Sequence, residues 1–250
     1  MKHKIIVMLS FIFTFTIIYI NSNQQFRHKF RCYVMNDYND CLKATEIGEN
    51  IKATDKLCTF GNEIACFNMG IYNQYKYNNL NKSIEYYKLS CDKNYNNACI
   101  NLAKIYAENL DENKTAFDLL KKSCDNGSFL ACENLGIYYI TGVGTTKDIN
   151  KSIRYFTFAC ENNMSISCIK LATLYSSNEF GMLDEKKAYS LYNKSCSLNN
   201  DNVLACSLKG FMLYRGLGVE ENKELGLKIL NSLCDKGIKE SCQILEKIYK

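Results

Sequence analysis

Apolar residues recur along most of this chain at spacings of three, four and seven. Segments that begin at the second cysteine of a cysteine pair carry large apolar residues three and seven places on. These are Leu102 and Tyr106, Leu135 and Tyr139, Leu171 and Tyr175, and Leu245 and Tyr249. Four places on stands a small residue: Gly70, Ala103, Gly136, Ala172 or Gly210. Such spacings put all of them on one face of an α-helix, here termed helix A. A second kind of segment, helix B, ends at the next cysteine. Eight residues before that cysteine the residue is small: Ser83, Ala116, Ser152, Ala188 or Gly226. Seven, five and four before it the residues are large, as in Ile84, Tyr86 and Tyr87, or Ile153, Tyr155 and Phe156. Glycine inside a helix costs about 1 kcal/mol against alanine. Its use in three A helices predicts a contact too close for a side chain. Small residues on A beside small residues on B let a hairpin close, and the large residues fill the space between repeats.

The cysteines set the period of this pattern. Fourteen of them fall into seven successive pairs. Cys32 stands nearest Cys41, a pairing the sequence leaves open, while Cys58 goes with Cys66, Cys91 with Cys99 and Cys124 with Cys132. Cys160 goes with Cys168, Cys196 with Cys206 and Cys234 with Cys242. From Cys58 on, the first members are 33, 33, 36, 36 and 38 residues apart. Periods of this length mark helical-hairpin solenoids. Within the pairs, Asp92, Asp125, Glu161 and Asp235 follow the first cysteine, and Asn94, Gly127, Asn163 and Gly237 stand two residues later. Asn and Gly tolerate the left-handed conformation that stops a helix. The first cysteine therefore closes one helix, the second opens the next, and a local disulfide staples the two. Zinc is a poorer reading, because zinc pairs stand two to four residues apart or bring His partners, and the histidines here are His3 and His28. Only 16 residues separate Cys41 from Cys58, so residues 23–57 are expected to form a degenerate N-terminal cap before a solenoid over 58–250. The last helix A carries Glu246 where earlier repeats hold Gly or Ala. A charge there suits a terminal half-repeat whose face meets solvent.

One stretch departs from the amphipathic pattern. Lys2, His3 and Lys4 precede an apolar run from Ile5 to Ile20, broken only by Ser and Thr, with no polar face. It is short for a bilayer span and suits an export signal over residues 1–22, with an uncleaved anchor as the alternative. Either places the remainder outside the cytoplasm, secreted or periplasmic, where disulfides persist. Any membrane association would run through this segment. The net charge of +5 is small and interspersed, which argues against a nucleic-acid partner.

The segment Ala131-Cys-Glu-Asn-Leu-Gly-Ile-Tyr-Tyr-Ile-Thr-Gly-Val-Gly-Thr-Thr-Lys-Asp-Ile-Asn-Lys-Ser152 resembles the Sel1-like repeat, with Gly142-Val143-Gly144 and Lys147-Asp148 as its inter-helix loop. Arg215-Gly-Leu-Gly-Val219 echoes it. The repeats at 66–91 and 99–124 lack this loop and approach tetratricopeptide length. With a cysteine pair at each junction, the chain resembles the secreted cysteine-rich Sel1-like repeat proteins of bacteria. The resemblance covers about residues 58–250 and implies an all-α, right-handed α/α solenoid. Members of this branch are described as penicillin-binding and often named β-lactamases, so a weak β-lactam-hydrolysing activity is what the resemblance implies as the alternative function.

The residues offer that activity little machinery. A serine enzyme of the penicillin-recognising type needs Ser-x-x-Lys, which occurs as Ser90-Cys-Asp-Lys93 and Ser167-Cys-Ile-Lys170. Neither Ser-Asp-Asn nor Lys-Thr-Gly occurs, and Ser also stands beside cysteine at Ser123 and Ser195 simply as a small residue. No catalytic residue, metal or cofactor is expected. Binding is the better reading. Two residues after the helix A cysteine, outside the apolar stripe, stand Asn68, Asn101, Asn134 and Lys170. On the concave face of a solenoid this row would read a protein, peptide or peptidoglycan-derived ligand.

Overall fold

The computed structural model describes residues 24–34, 36–46, 50–198 and 203–250. The leader expected over 1–22 lies outside them. Among the described residues the chain forms fourteen α-helices and no strand. The first three are α1 (Gln24–Val34), α2 (Tyr38–Glu46) and α3 (Ile51–Thr59). Next come α4 (Glu63–Ile71), which runs into a π-helical turn at Tyr72–Lys76, then α5 (Leu80–Asp92) and α6 (Asn96–Asn109). They are followed by α7 (Asn113–Asp125), α8 (Phe129–Thr141), α9 (Ile149–Glu161) and α10 (Ser165–Ser176). The last are α11 (Glu185–Leu198), α12 (Val203–Arg215), α13 (Lys223–Asp235) and α14 (Lys239–Tyr249). This is the all-α array of stapled hairpins that the spacing predicts. It divides into two compact units, Met1–Ile105 and Tyr106–Lys250, with the boundary inside α6.

The six cysteine pairs from Cys58–Cys66 to Cys234–Cys242 are disulfides between sequence neighbours, as the spacing predicts, and Cys32–Cys41, which the sequence left open, is one as well. The first unit holds Cys32–Cys41, Cys58–Cys66 and Cys91–Cys99. The second holds Cys124–Cys132, Cys160–Cys168, Cys196–Cys206 and Cys234–Cys242. Their Cα–Cα separations run from 4.6 to 4.9 Å. The second cysteines, Cys66, Cys99, Cys132, Cys168, Cys206 and Cys242, all lie within the first turns of the helix that follows the bridge. The turn inside the bridges repeats. Three residues after the first cysteine, Gly61, Asn94, Gly127, Asn163 and Gly237 take positive φ between 63° and 85°. Their N–H groups donate to the carbonyls of Cys58, Cys91, Cys124, Cys160 and Cys234 at 2.8–3.0 Å. The next N–H reaches one residue further back, as from Ser128 to Ser123 and from Met164 to Ala159. Carbonyls left open at a helix end are thereby satisfied, and the chain reverses within the reach of a disulfide.

Asn, Ser or Asp side chains start many of the helices. Asn62, Asn79, Ser128, Asp148 and Asn222 accept from the N–H three residues on, a cap whose loss costs about 1 kcal/mol. Inside the hairpins the glycines do what the spacing predicts, with an addition. Small meets small: Ser83 Oγ donates to the carbonyl of Gly70 at 2.9 Å, and a Cβ on Gly226 would lie 2.7 Å from the carbonyl oxygen of Gly210. The large residue four before the cysteine also sits on the glycine. A Cβ on Gly70 would approach the Tyr87 ring to 2.5 Å, and one on Gly136 the Phe156 ring to 2.6 Å. Tyr87 and Phe156 are fully buried there. These rings thus pack within their own hairpin rather than filling only the space between repeats.

Residues 24–57 of the expected cap hold α1, α2 and most of α3. Cys41 and Cys58, with 16 residues between them, lie in a shortened hairpin of two nine-residue helices, α2 and α3, against thirteen residues in α8 and α9. The Cys32–Cys41 bridge joins α1 to α2. Behind it His28 Nδ1 lies 2.6 Å from Asp40 Oδ1, both side chains buried, and Arg31 Nε is 3.3 Å from Asp40 Oδ2.

Candidate functional site

Helix A presents the four positions singled out above, and their surroundings differ. In the first unit Asn68, on α4, is exposed, and its side chain holds no hydrogen bond among the described residues. Asn101, on α6, is half-buried, and its Nδ2 donates to the Tyr87 hydroxyl at 3.3 Å. That hydroxyl in turn donates to Gln74 Oε1 at 2.9 Å. Burial is the main influence raising the Tyr87 pKa, with the Asn101 hydrogen bond opposing it. In the second unit Asn134, on α8, turns its Nδ2 to the carbonyl of Leu130 in its own helix at 2.8 Å. Lys170, on α10, is half-buried and makes no ion pair among the described residues. Of the four head groups, those of Asn68 and Lys170 are therefore uncommitted.

Both Ser-x-x-Lys tetrads are sealed. Ser90 is fully buried and donates to the carbonyl of Glu63 at 2.7 Å. Ser167 is fully buried and donates to Glu133 Oε2 at 2.5 Å. A nucleophile must reach its substrate with a base beside it. Each of these hydroxyls instead ties one helix to another. Ser195 behaves like Ser90 and donates to the carbonyl of Ser165 at 2.9 Å. Among the described residues no cluster of metal-ligating side chains is present, and no helix is long and apolar enough to cross a membrane.

One set of polar residues was not singled out from the sequence. Glu133 is a buried carboxylate, held by Ser167 from the next helix A. Ser207 and Ser241 form the same kind of pair, Oγ to Oγ at 2.6 Å, also 34 residues apart. In both, the residue after one helix A cysteine meets the residue before the next. A signal existed. Where the first position is apolar, as at Phe67, Ile100 and Ile169, the partner position holds alanine: Ala98, Ala131 and Ala205. Where the first is polar, the partner is serine. Only the stacking of consecutive A helices reveals that these positions face each other.

Tyr86 adds a further polar link in the first unit. Its hydroxyl donates to Asp55 Oδ1 at 2.6 Å. Burial first, then that carboxylate, push its pKa up to about 12. On the second unit the Gly-x-Gly loops have a clear task. A Cβ on Gly144 would run into the carbonyl oxygen of Asn113, and one on Gly218 into that of Glu185. Each loop is thus pressed onto the first residue of the preceding helix B, which no side chain permits.

Helical hairpins of this period, stapled by disulfides at their junctions, define a disulfide-rich α/α repeat protein. The Sel1 repeat matches residues 64–95, 97–128, 130–164, 165–200 and 204–238. The chain belongs to the Sel1 repeat family. No curated protein matches it by sequence. Among solved structures it is similar to c5321, described as a protective antigen of uropathogenic Escherichia coli displaying an SLR fold. The TM-score is 0.70 at 17% identity over 89% of this chain and 51% of that one. The chain thus spans about half the length of that protein. A Sel1 repeat protein from Oxalobacter formigenes aligns with TM-score 0.62 at 19% identity, over 85% of this chain and 86% of that one. YrrB, described as a TPR protein with an unusual peptide-binding site, aligns with TM-score 0.50 at 19% identity, over 80% and 99%. At these identities the likeness is one of fold.

Proposed function

We propose that the chain is a non-catalytic, exported scaffold that binds a protein or peptide segment through the helix A surface. One observation carries this reading. Equivalent helix A positions hold polar head groups that the fold leaves uncommitted at Asn68 and Lys170, while the hydroxyls that chemistry would need are spent inside the core. An amide offers a donor and an acceptor together, which matches a peptide main chain. A lysine adds a charge-assisted contact to a carboxylate. The peptide-binding site of YrrB, on a related fold, is consistent with this use of stacked hairpins. Export is supported by the seven disulfides, which use all fourteen cysteines, a pattern of oxidising compartments, and by the apolar leader. Cell-wall fragments form the second ligand class, since their stem peptides present the same main-chain groups.

The test is selection of peptides from a displayed random library against the oxidised full chain, followed by calorimetry. Lys170→Ala and Asn68→Ala should each weaken the selected peptides that contact the substituted residue by about two- to tenfold, the size of one hydrogen bond. A chromogenic β-lactam, run in parallel with Ser90→Ala and Ser167→Ala, addresses the hydrolase alternative. Turnover that disappears in one serine variant, with its fold retained, would overturn the scaffold reading.

A further inference from the structure

The first unit contains a cleft of about 190 Å³ directly beside Asn68. It opens where the shortened α2–α3 hairpin meets α4, the first helix A to carry the repeat pattern. Pockets that enclose whole small molecules run to about 300–1,000 Å³, so this one is sized for a single side chain. Leu57 and Ala65, both buried, and half-buried Leu42 form its apolar wall. Ile64, half exposed at 50%, stands with Asn68 at the mouth.

The polar groups of the lining narrow the occupant further. Thr45 Oγ1 donates to the carbonyl of Leu42 at 2.7 Å, and Thr54 Oγ1 to that of Asn50 at 3.1 Å. Asn62 caps α4 through its Oδ1, which accepts from Ala65 N–H at 2.8 Å, while its Nδ2 donates to the Tyr38 hydroxyl at 3.0 Å. These three are satisfied within the protein. The Asn68 amide alone among the lining side chains is uncommitted. Among the described residues no charged side chain lines the cleft, so a charged occupant would be desolvated without a partner.

We infer that this cleft receives one uncharged apolar side chain of an extended peptide, while the Asn68 amide pairs with the N–H and C=O of the peptide main chain beside it. The inference rests on the peptide-binding reading above and adds to it the chemistry of one subsite. Its occupant is a leucine- or phenylalanine-like residue within a peptide, and acidic or basic residues are excluded at that place.

The experiment is titration of the ¹⁵N-labelled, oxidised full chain with blocked tripeptides Ala-Xaa-Ala, followed by NMR. With Xaa as Leu or Phe, the Ala65 backbone amide and the Asn68 side-chain amide should shift. With Xaa as Asp or Lys they should not. Ile64→Asp puts a charge at the mouth on an exposed residue and should lower the Leu peptide's affinity at least tenfold. Asn68→Ala should lower it about two- to tenfold, the effect of one hydrogen bond. Absence of shifts with Leu and Phe, shifts confined to other helices, or equal binding of the Asp peptide would each overturn the inference. Library-selected peptides whose affinity depends on Lys170 but ignores Ile64→Asp and Asn68→Ala would overturn the subsite and leave the scaffold standing. A chain that binds no peptide of any kind would remove both.

Discussion

Two hairpins, α4–α5 in the first unit and α8–α9 in the second, solve the same packing problem with different connections. Each puts a glycine of helix A under a fully buried ring of helix B, Gly70 under Tyr87 and Gly136 under Phe156. Each is followed by a disulfide of the same span, Cys91–Cys99 and Cys160–Cys168. Between their helices they part ways. The second uses Gly142 in left-handed conformation to stop α8 and Gly144 to press the loop onto Asn113. The first has neither glycine and is three residues shorter. There the helix widens into the π-helical turn Tyr72–Lys76 before Asn79 caps α5. Its ring also carries a hydroxyl, which joins Gln74 and Asn101 in a polar link that Phe156 lacks. The glycine-and-ring contact is thus what these two hairpins share, and the connection is where they differ.

The strongest way to break that comparison is to remove the rings. Tyr87→Ala and Phe156→Ala should each cost about 3–5 kcal/mol, and similar losses in denaturant unfolding would confirm one shared core contact. Opening the staples comes next. Cys91→Ser with Cys99→Ser, and Cys160→Ser with Cys168→Ser, should each cost about 2–4 kcal/mol. Their sequence separations are both 8, so the two losses should match, and a large inequality would show strain or residual structure particular to one unit.

Smaller effects sharpen the difference between the connections. Gly144→Ala meets both a positive φ and the Asn113 backbone and should cost the conformational term of about 1–2 kcal/mol plus about 1–3 kcal/mol for the clash. Gly127→Ala has positive φ but nothing within 4 Å of its new Cβ, so its cost should stay near the conformational term of about 1–2 kcal/mol. A Gly144→Ala no worse than Gly127→Ala would refute the pressed-loop contact. Tyr87→Phe should cost about 1 kcal/mol, the value of its hydroxyl, and should free the Asn101 amide, visible as a shifted side-chain resonance.

The smallest effect is acid sensitivity, because α9 is capped by Asp148 and α5 by Asn79. The backbone N–H of Lys151, with its side chain, lowers the Asp148 pKa, and Lys187 does the same for Asp184. A depressed folded pKa contributes stability that is present above the ordinary value of 3.8 and is lost as pH falls through the folded value. As pH falls below about 4, stability to melting should therefore weaken less in Asp148→Asn than in the native chain. In the first unit the sign reverses at the alkaline end. Tyr86 is raised from 10.0 to about 12, so its contribution is complete below pH 10 and is lost as pH climbs towards 12.

Much of this architecture was legible because its signals are local and repeated. Cysteine spacing, the Asn or Gly three residues after Cys91, Cys124, Cys160 and Cys234, and the small residues at matching depths of A and B each restate the hairpin several times. The disulfide pairing, from Cys58–Cys66 to Cys234–Cys242, followed from the same turns. The site was less legible. Asn68, Asn101 and Asn134 are identical in sequence position, yet Tyr87 engages one, the helix itself engages another, and only Asn68 is uncommitted. Ser90 and Ser167 carry a catalytic-looking spacing, and only the structure shows both hydroxyls buried and bonded to Glu63 and Glu133.

The residues by themselves determined the helical hairpin, its period, the turn at four junctions and the partners of the disulfides from Cys58 onward, because each depends on chain neighbours within one repeat. Tertiary structure decided what depends on the next repeat or on a shortened one. It placed Glu133 against Ser167 and Ser207 against Ser241 across a 34-residue offset. It pressed Gly144 onto a carbonyl 31 positions earlier in the chain. It also left a cleft beside Asn68, because two nine-residue helices precede α4 there. Such contacts join residues that no local pattern ties together, so only the stacking of one hairpin on another can specify them.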